Sequence, residues 1–206
     1  NTPNNPTGQV MPEAWVVALV QWAQRRGLWI LSDEVYEDYL YEGSHTYARS
    51  VAPERTFSVH SFSKSLGMAG NRCGYVVGPP QSMMSIRKVS THCWYSTPKA
   101  SQVAAYRALC GPGDAWIARV RPLYAEAGRR AAERLGVAAP QGSTFLWLDV
   151  AEHLDETGLM GFLERCVERG LFIAPGVSFG PYPTHVRACF TATPPEVTAR
   201  GMNVLA

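Results

Sequence analysis

Ser61-Phe-Ser-Lys-Ser-Leu-Gly-Met-Ala-Gly-Asn-Arg-Cys-Gly74 follows directly on an apolar, β-branched run, Thr56 to Phe62, that reads as a strand. Lys64 therefore stands just past the end of a strand, in a stretch dense in serine and glycine. Most lysines are solvated surface charges. This one has apolar strand on one side and Gly67, Gly70 and Gly74 on the other, residues that let backbone approach a ligand closely. Arg72 follows in the same glycine-rich context, which suits an anion. In parallel α/β sheets ligands bind beyond the carboxyl ends of the strands.

Working outward, the same grammar recurs. Pro12 to Arg26 places Trp15, Val16, Leu19, Val20 and Ala23 on one helical face, with Gly27 as its stop. Leu28 to Leu31 is a short apolar strand that ends at Ser32, Asp33 and Glu34. A helix feeding a fully apolar strand predicts an α/β fold with a covered parallel sheet. Cys73 to Gly78 is a third strand. Helices are expected over 81–91, 98–109 and 115–135. After Gly136 to Ser143 come strands at Phe145 to Val150, Leu171 to Ala174 and His185 to Phe190. A helix lies around Leu159 to Arg169 and another starts near Pro194. That second set makes a small α+β unit, so domains are placed at 1–120 and 121–206.

Composition narrows the function classes. The chain has 206 residues, 46% of them hydrophobic and 17% charged, with a formal charge of +2. Such a balance provides no strong field for nucleic acid or anionic lipid. Cys73, Cys93, Cys110, Cys166 and Cys189 are scattered without ligand spacing, which favours buried free thiols in a reducing compartment and no metal site. No long apolar run or signal peptide is present, so a cytoplasmic protein is expected.

Asp33-Glu34-Val35-Tyr36 offers a second chemistry. An acid at a strand's carboxyl end commonly caps the following turn. Asp33 and Tyr36 also share one side of a helical turn, where the carboxylate would keep a basic ring nitrogen protonated. The opening Asn1-Thr-Pro-Asn-Asn-Pro-Thr-Gly8 reads as a loop built by its prolines and Gly8.

Four segments in this order, NNPTG, DEVY, SFSK with GNRCG, and VRACF, resemble the class I/II aminotransferases, fold type I enzymes that use pyridoxal 5′-phosphate (PLP). The resemblance implies the second half of such a large domain, a mostly parallel sheet with flanking helices, followed by a small α+β C-terminal domain. It implies that Lys64 binds PLP covalently and moves protons, that Asp33 pairs with the pyridinium nitrogen, and that Tyr36 and Asn5 hydrogen-bond the 3′ oxygen. Ser61, Ser63 and Arg72 would hold the phosphate. Arg187, with Asn5, would take the substrate's α-carboxylate through a bidentate fork. Cys73 departs from the aliphatic residue more usual after the arginine.

The function that follows is amino transfer between an amino acid and a 2-oxo acid, by a homodimer that binds neither nucleic acid nor membrane. PLP-dependent elimination, replacement or cyclisation in specialised amino-acid biosynthesis uses the same groups, and a regulator's ligand-sensing domain is the alternative of another class. The resemblance runs over essentially all 206 residues but over half of a family member. The chain is thus read as part of a longer one, with a split enzyme or a decayed one as alternatives. A sheet without its leading strands would expose edges and apolar surface. Tyr39, Tyr41, Trp94, Tyr95 and Phe179 are read first as core or contact aromatics. The Gly176 to Gly180 loop is expected to border the substrate. His45 and His60 have no partner at a recognisable spacing.

Overall fold

The structure, a computed structural model, describes residues 1–206. The chain packs as two compact units. Asn1–Pro3 with Val10–Val120 form one, and Asn4–Gln9 with Arg121–Ala206 form the other.

The first unit begins with α1 (Glu13–Arg25), β1 (Ile30–Asp33), the short α2 (Ala48–Val51) and β2 (Thr56–Ser61). Strands β1 and β2 are parallel, in register from Ile30 opposite Thr56 to Asp33 opposite Val59. Parallel neighbours need a crossover, and here it carries α2. Val16 and Val20 of α1 pack against Ala48 and Ala52 at α2, with Met11, Ile30 and Val51 around them. Gly27, at φ +69°, turns the chain from α1 into β1, a left-handed conformation that glycine adopts without strain.

Three details differ from the sequence reading. The first strand begins at Ile30 and runs through Asp33, so Asp33 is the strand's last residue and does not lie beyond its end. Leu28, Trp29 and Leu31 stay 44, 57 and 72% exposed, so the sheet is not covered within this chain. The third strand, β3 (Gly74–Val77), runs antiparallel to β2, with His60 opposite Tyr75. Its connection contains no crossover helix, only loop and a short 3₁₀ turn at Ala69–Asn71. The chain doubles back through this loop, and β3 pairs with β2 from Ser61 opposite Gly74 to Ser58 opposite Val77. The sheet is therefore mixed, in the order β1-β2-β3. Helices α3 (Pro80–Cys93) and α4 (Lys99–Leu109) complete this unit, and α5 (Pro112–Leu135) runs from it into the second.

The second unit holds β4 (Phe145–Asp149), α6 (Gly158–Glu168), β5 (Ala174–Pro175), β6 (His185–Cys189) and α7 (Pro195–Leu205). Its sheet is antiparallel, in the order β4-β6-β5. Val186 and Ala188 face the core and are fully buried, so the period of two sends His185, Arg187 and Cys189 to the other face. No helix is long and apolar enough to cross a membrane.

Inside the first unit lies a buried acid. Glu34 is 1% exposed, and its Oε2 lies 2.7 Å from Nε2 of His45, itself nearly buried. Burial alone would push the Glu34 carboxyl up. Hydrogen bonds with His45 and Ser32, and the charges of His45 and His60, outweigh burial and hold it below its ordinary value of 4.5. A carboxyl held low binds protons less readily in the fold than in the unfolded chain. Its stabilisation is therefore complete above pH 4.5 and is lost as pH falls through the lowered value. Urea unfolding across that range should show wild-type stability falling more steeply with acid than that of Glu34→Gln. At neutral pH, His45→Ala should cost about 3–5 kcal/mol, because it leaves a buried carboxylate without its donor; a loss below about 1 kcal/mol would mean that the pair is solvated.

Candidate functional site

In the first unit the parallel pairing of β1 and β2 puts both carboxyl ends at one edge of the sheet. Asp33 ends β1 and Ser61 ends β2, on neighbouring strands. The alternation of side chains separates two adjacent acids, leaving Asp33 exposed and Glu34 buried. Asp33 Oδ1 accepts the Val35 N–H at 3.1 Å. The carboxylate thus caps its turn with one oxygen and remains solvent-facing at the sheet's end. The Glu37 N–H bonds the Glu34 carbonyl and the Tyr39 N–H bonds the Tyr36 carbonyl, each at 2.9 Å, which coils the segment after β1 and buries Tyr36.

The segment after β2 is a tight turn. Ser61 Oγ accepts the Ser63 N–H at 3.1 Å, and the Lys64 carbonyl accepts the Gly67 N–H at 3.1 Å. Phe62 and Ser65 are buried on either side of an exposed Lys64. The turn therefore anchors its neighbours in the core and presents the amine outward. Arg72 caps the 3₁₀ turn in a left-handed conformation, φ 51°, and its Nη1 donates to the Ala69 carbonyl at 2.9 Å. Asp33, Tyr36, Ser61, Ser63, Lys64 and Arg72 all belong to this unit.

Asn5 and Arg187 belong to the second. The loop that carries Asn5 is closed by its own side chains. Asn4 Oδ1 accepts the Thr7 N–H at 3.1 Å and the Thr7 hydroxyl at 2.8 Å, and the Gly8 carbonyl accepts the Gly142 N–H at 3.0 Å. Gly8 has φ +71°, and a Cβ there would stand 2.7 Å from the Phe145 carbonyl, so only glycine fits. Arg187, at the middle of β6, donates from Nη1 to Asn5 Oδ1 at 2.6 Å. Its guanidinium carbon lies 4.0 Å from the centre of the Phe145 ring and 4.5 Å from that of Phe179. Trp147, opposite Arg187 on β4, meets Phe179 and Tyr182 edge-on and stacks with His185. Arg187 and Asn5 are thus joined across the length of the sequence, and aromatic rings fix the guanidinium in place.

Residue spacing did not disclose several partners. His45 meets Glu34, and His60 meets Glu37 at 2.8 Å while stacking on Tyr75 at 4.6 Å, its cross-strand neighbour. Phe179 reaches the guanidinium from the Gly176 to Gly180 loop, which the resemblance set near the substrate without singling out this ring. Tyr39 bonds the backbone at Lys64.

The donor set of the first unit matches a phosphorylated pyridine aldehyde: an amine, a carboxylate for a ring nitrogen, a phenol, two hydroxyls and a guanidinium. The second unit has a guanidinium and an amide, which match a carboxylate. The family model "Aminotransferase class I and II" matches residues 1–205. The aspartate/prephenate aminotransferase of Thermus thermophilus is 32% identical over 200 residues, covering 94% of this chain and 51% of that protein. The aspartate aminotransferase of Thermococcus kodakarensis is 32% identical over 208 residues, covering 100% and 54%. Among solved structures, the Thermus thermophilus aspartate aminotransferase with maleate superposes with a TM-score of 0.91 at 30% identity, over 100% of this chain and 55% of that one. The chain thus spans about half the length of the relatives it matches. With its fold type I architecture and its ordered motifs, it belongs to the class I and II aminotransferase family.

Proposed function

We propose that the protein carrying this chain is a PLP-dependent aminotransferase that moves an amino group between an amino acid and a 2-oxo acid. The observation that carries the reading is the end of the parallel pair, where Asp33 and Ser61 close the two strands and Tyr36 and Lys64 follow on the adjoining loops. Bound PLP supplies an electron sink for charge that develops at the substrate's α-carbon. Lys64 would hold the cofactor through its amine and afterwards move a proton between the substrate's α-carbon and C4′ of the cofactor. Asp33 keeps the ring nitrogen protonated, Tyr36 and Asn5 hydrogen-bond the ring oxygen, and Ser61, Ser63 and Arg72 bind the phosphate. Arg187, oriented by Asn5, Phe145 and Phe179, grips the α-carboxylate by its planar fork. The relatives named above are aminotransferases, which supports transfer over elimination, replacement or cyclisation. Assembly as a homodimer in the cytoplasm belongs to the same reading; a monomer mass in solution would remove the first part.

Borohydride reduction of the protein loaded with PLP should fix the cofactor on the peptide containing Lys64. A label on any other lysine would defeat the assignment. Asp33→Asn should still take up PLP but lose about 3 kcal/mol of transition-state stabilisation, seen as a lower kcat; unimpaired turnover would give the ring nitrogen another partner. Arg187→Lys keeps the charge and loses the fork. KM for amino acids should rise by the equivalent of roughly 2–5 kcal/mol while the cofactor's absorption is unchanged. Maleate, a dicarboxylate, should inhibit the parent protein and inhibit this variant poorly.

A further inference from the structure

We propose that Tyr39 is a positioning residue for Lys64, tying the loop that follows Asp33 and bears Tyr36 to the turn that bears the lysine. Tyr39 is 2% exposed, and a phenol so deeply buried needs a hydrogen-bond acceptor. Its hydroxyl donates to the Lys64 carbonyl at 2.9 Å and lies 3.4 Å from the Ser65 carbonyl. At the other end of the same residue, the Tyr39 N–H donates to the Tyr36 carbonyl at 2.9 Å. One side chain and its own backbone thus bridge two loops that the sequence separates.

Within the lysine turn the Ser63 N–H bonds Ser61, the Gly67 N–H bonds Lys64 and the Met68 N–H bonds Phe62, while the Phe62 N–H reaches the Cys73 carbonyl on the way to β3. The β1–β2 pairing and the Glu37–His60 contact fix the strand ends beneath the turn, and the Tyr39 hydroxyl ties the lysine residue itself to the loop after β1. The Lys64 carbonyl takes the Gly67 N–H and the Tyr39 hydroxyl together, which uses both of its acceptor positions. An amine that must reach one atom of a bound ring needs this fixed origin, since misplacement by about 1 Å can cost roughly a hundredfold in rate. The catalytic part of the inference rests on Lys64 being the cofactor-bearing amine. The tether does not.

The test compares the parent protein with Tyr39→Phe, which keeps the ring and removes the hydroxyl. In the cofactor-free protein, hydrogen exchange read by mass spectrometry should be roughly five- to tenfold faster at Gly67 in the variant, and unchanged in β4 and β6. Trypsin should cut the Lys64–Ser65 bond faster. With PLP bound, kcat should fall roughly tenfold while KM for the amino acid holds, because Arg187 and Asn5 are untouched. Unchanged exchange at Gly67 would overturn the tether. Faster exchange with unchanged kcat would overturn the positioning role. If borohydride leaves Lys64 of the parent protein unlabelled, the cofactor reading falls and takes the catalytic purpose of the tether with it, whereas unchanged exchange beside a labelled Lys64 removes the tether alone.

Discussion

Two strands that run parallel must end on the same side, and in this chain the pairing of β1 with β2 puts unlike chemistry side by side. One strand runs out at a carboxylate, the other at a hydroxyl followed by an amine. The pairing costs a crossover, which the chain stabilises by packing α1 on α2 through Val16, Val20, Ala48 and Ala52. Glu34 continues the ladder one residue further, its N–H bonding the Val59 carbonyl at 2.9 Å. Its side chain then turns inward to His45. The exposed acid beside it, at the end of β1, thus leads into a loop fixed from below by the Glu34–His45 contact and from the side by the Tyr39 hydroxyl.

The second unit solves a different problem by a different rule. Its antiparallel strands bury one face, so the guanidinium on β6 has to emerge on the other, among Phe145, Trp147 and Phe179. Rings hold a flat cation by its faces and leave its edge for hydrogen bonds. The Asn5 amide takes part of that edge. The proposed cofactor chemistry thus relies on strand ends, whereas the proposed anion chemistry relies on strand alternation.

What could be read in advance was whatever is encoded within a few residues. The helix of Glu13–Arg25 follows from apolar spacing, and the lysine turn from its glycines and serines. Strand limits slid toward Asp33 because hydrogen bonding to β2, and not apolarity, sets where β1 ends. The direction of β3 depends on how the connecting loop turns back without a crossover helix, a property of the loop and not of the Gly-Tyr-Val-Val stretch. Particular side-chain partners that meet through folding were invisible: Glu34 finds His45 across a whole loop, and within the Gly176 to Gly180 loop nothing marked the Phe179 ring as the one that meets Arg187. Tyr39 reads as one more aromatic in a sequence rich in them; only the position of its hydroxyl distinguishes it. In each case the information lies in three-dimensional closure, which one chain read linearly does not display.

The neighbouring acids Asp33 and Glu34 carry a constraint on how this protein can change. They differ by one methylene, yet strand alternation assigns one to the solvent edge and one to the interior. Deleting a single residue between Ile30 and Asp33 would not merely shorten the strand. It would rotate the pair by half a pleat, presenting the longer acid outward and leaving His45 facing the wrong side chain. Substitutions can accumulate in β1 gradually, but changes of length cannot, so descendants of this chain should vary there in composition and stay uniform in register.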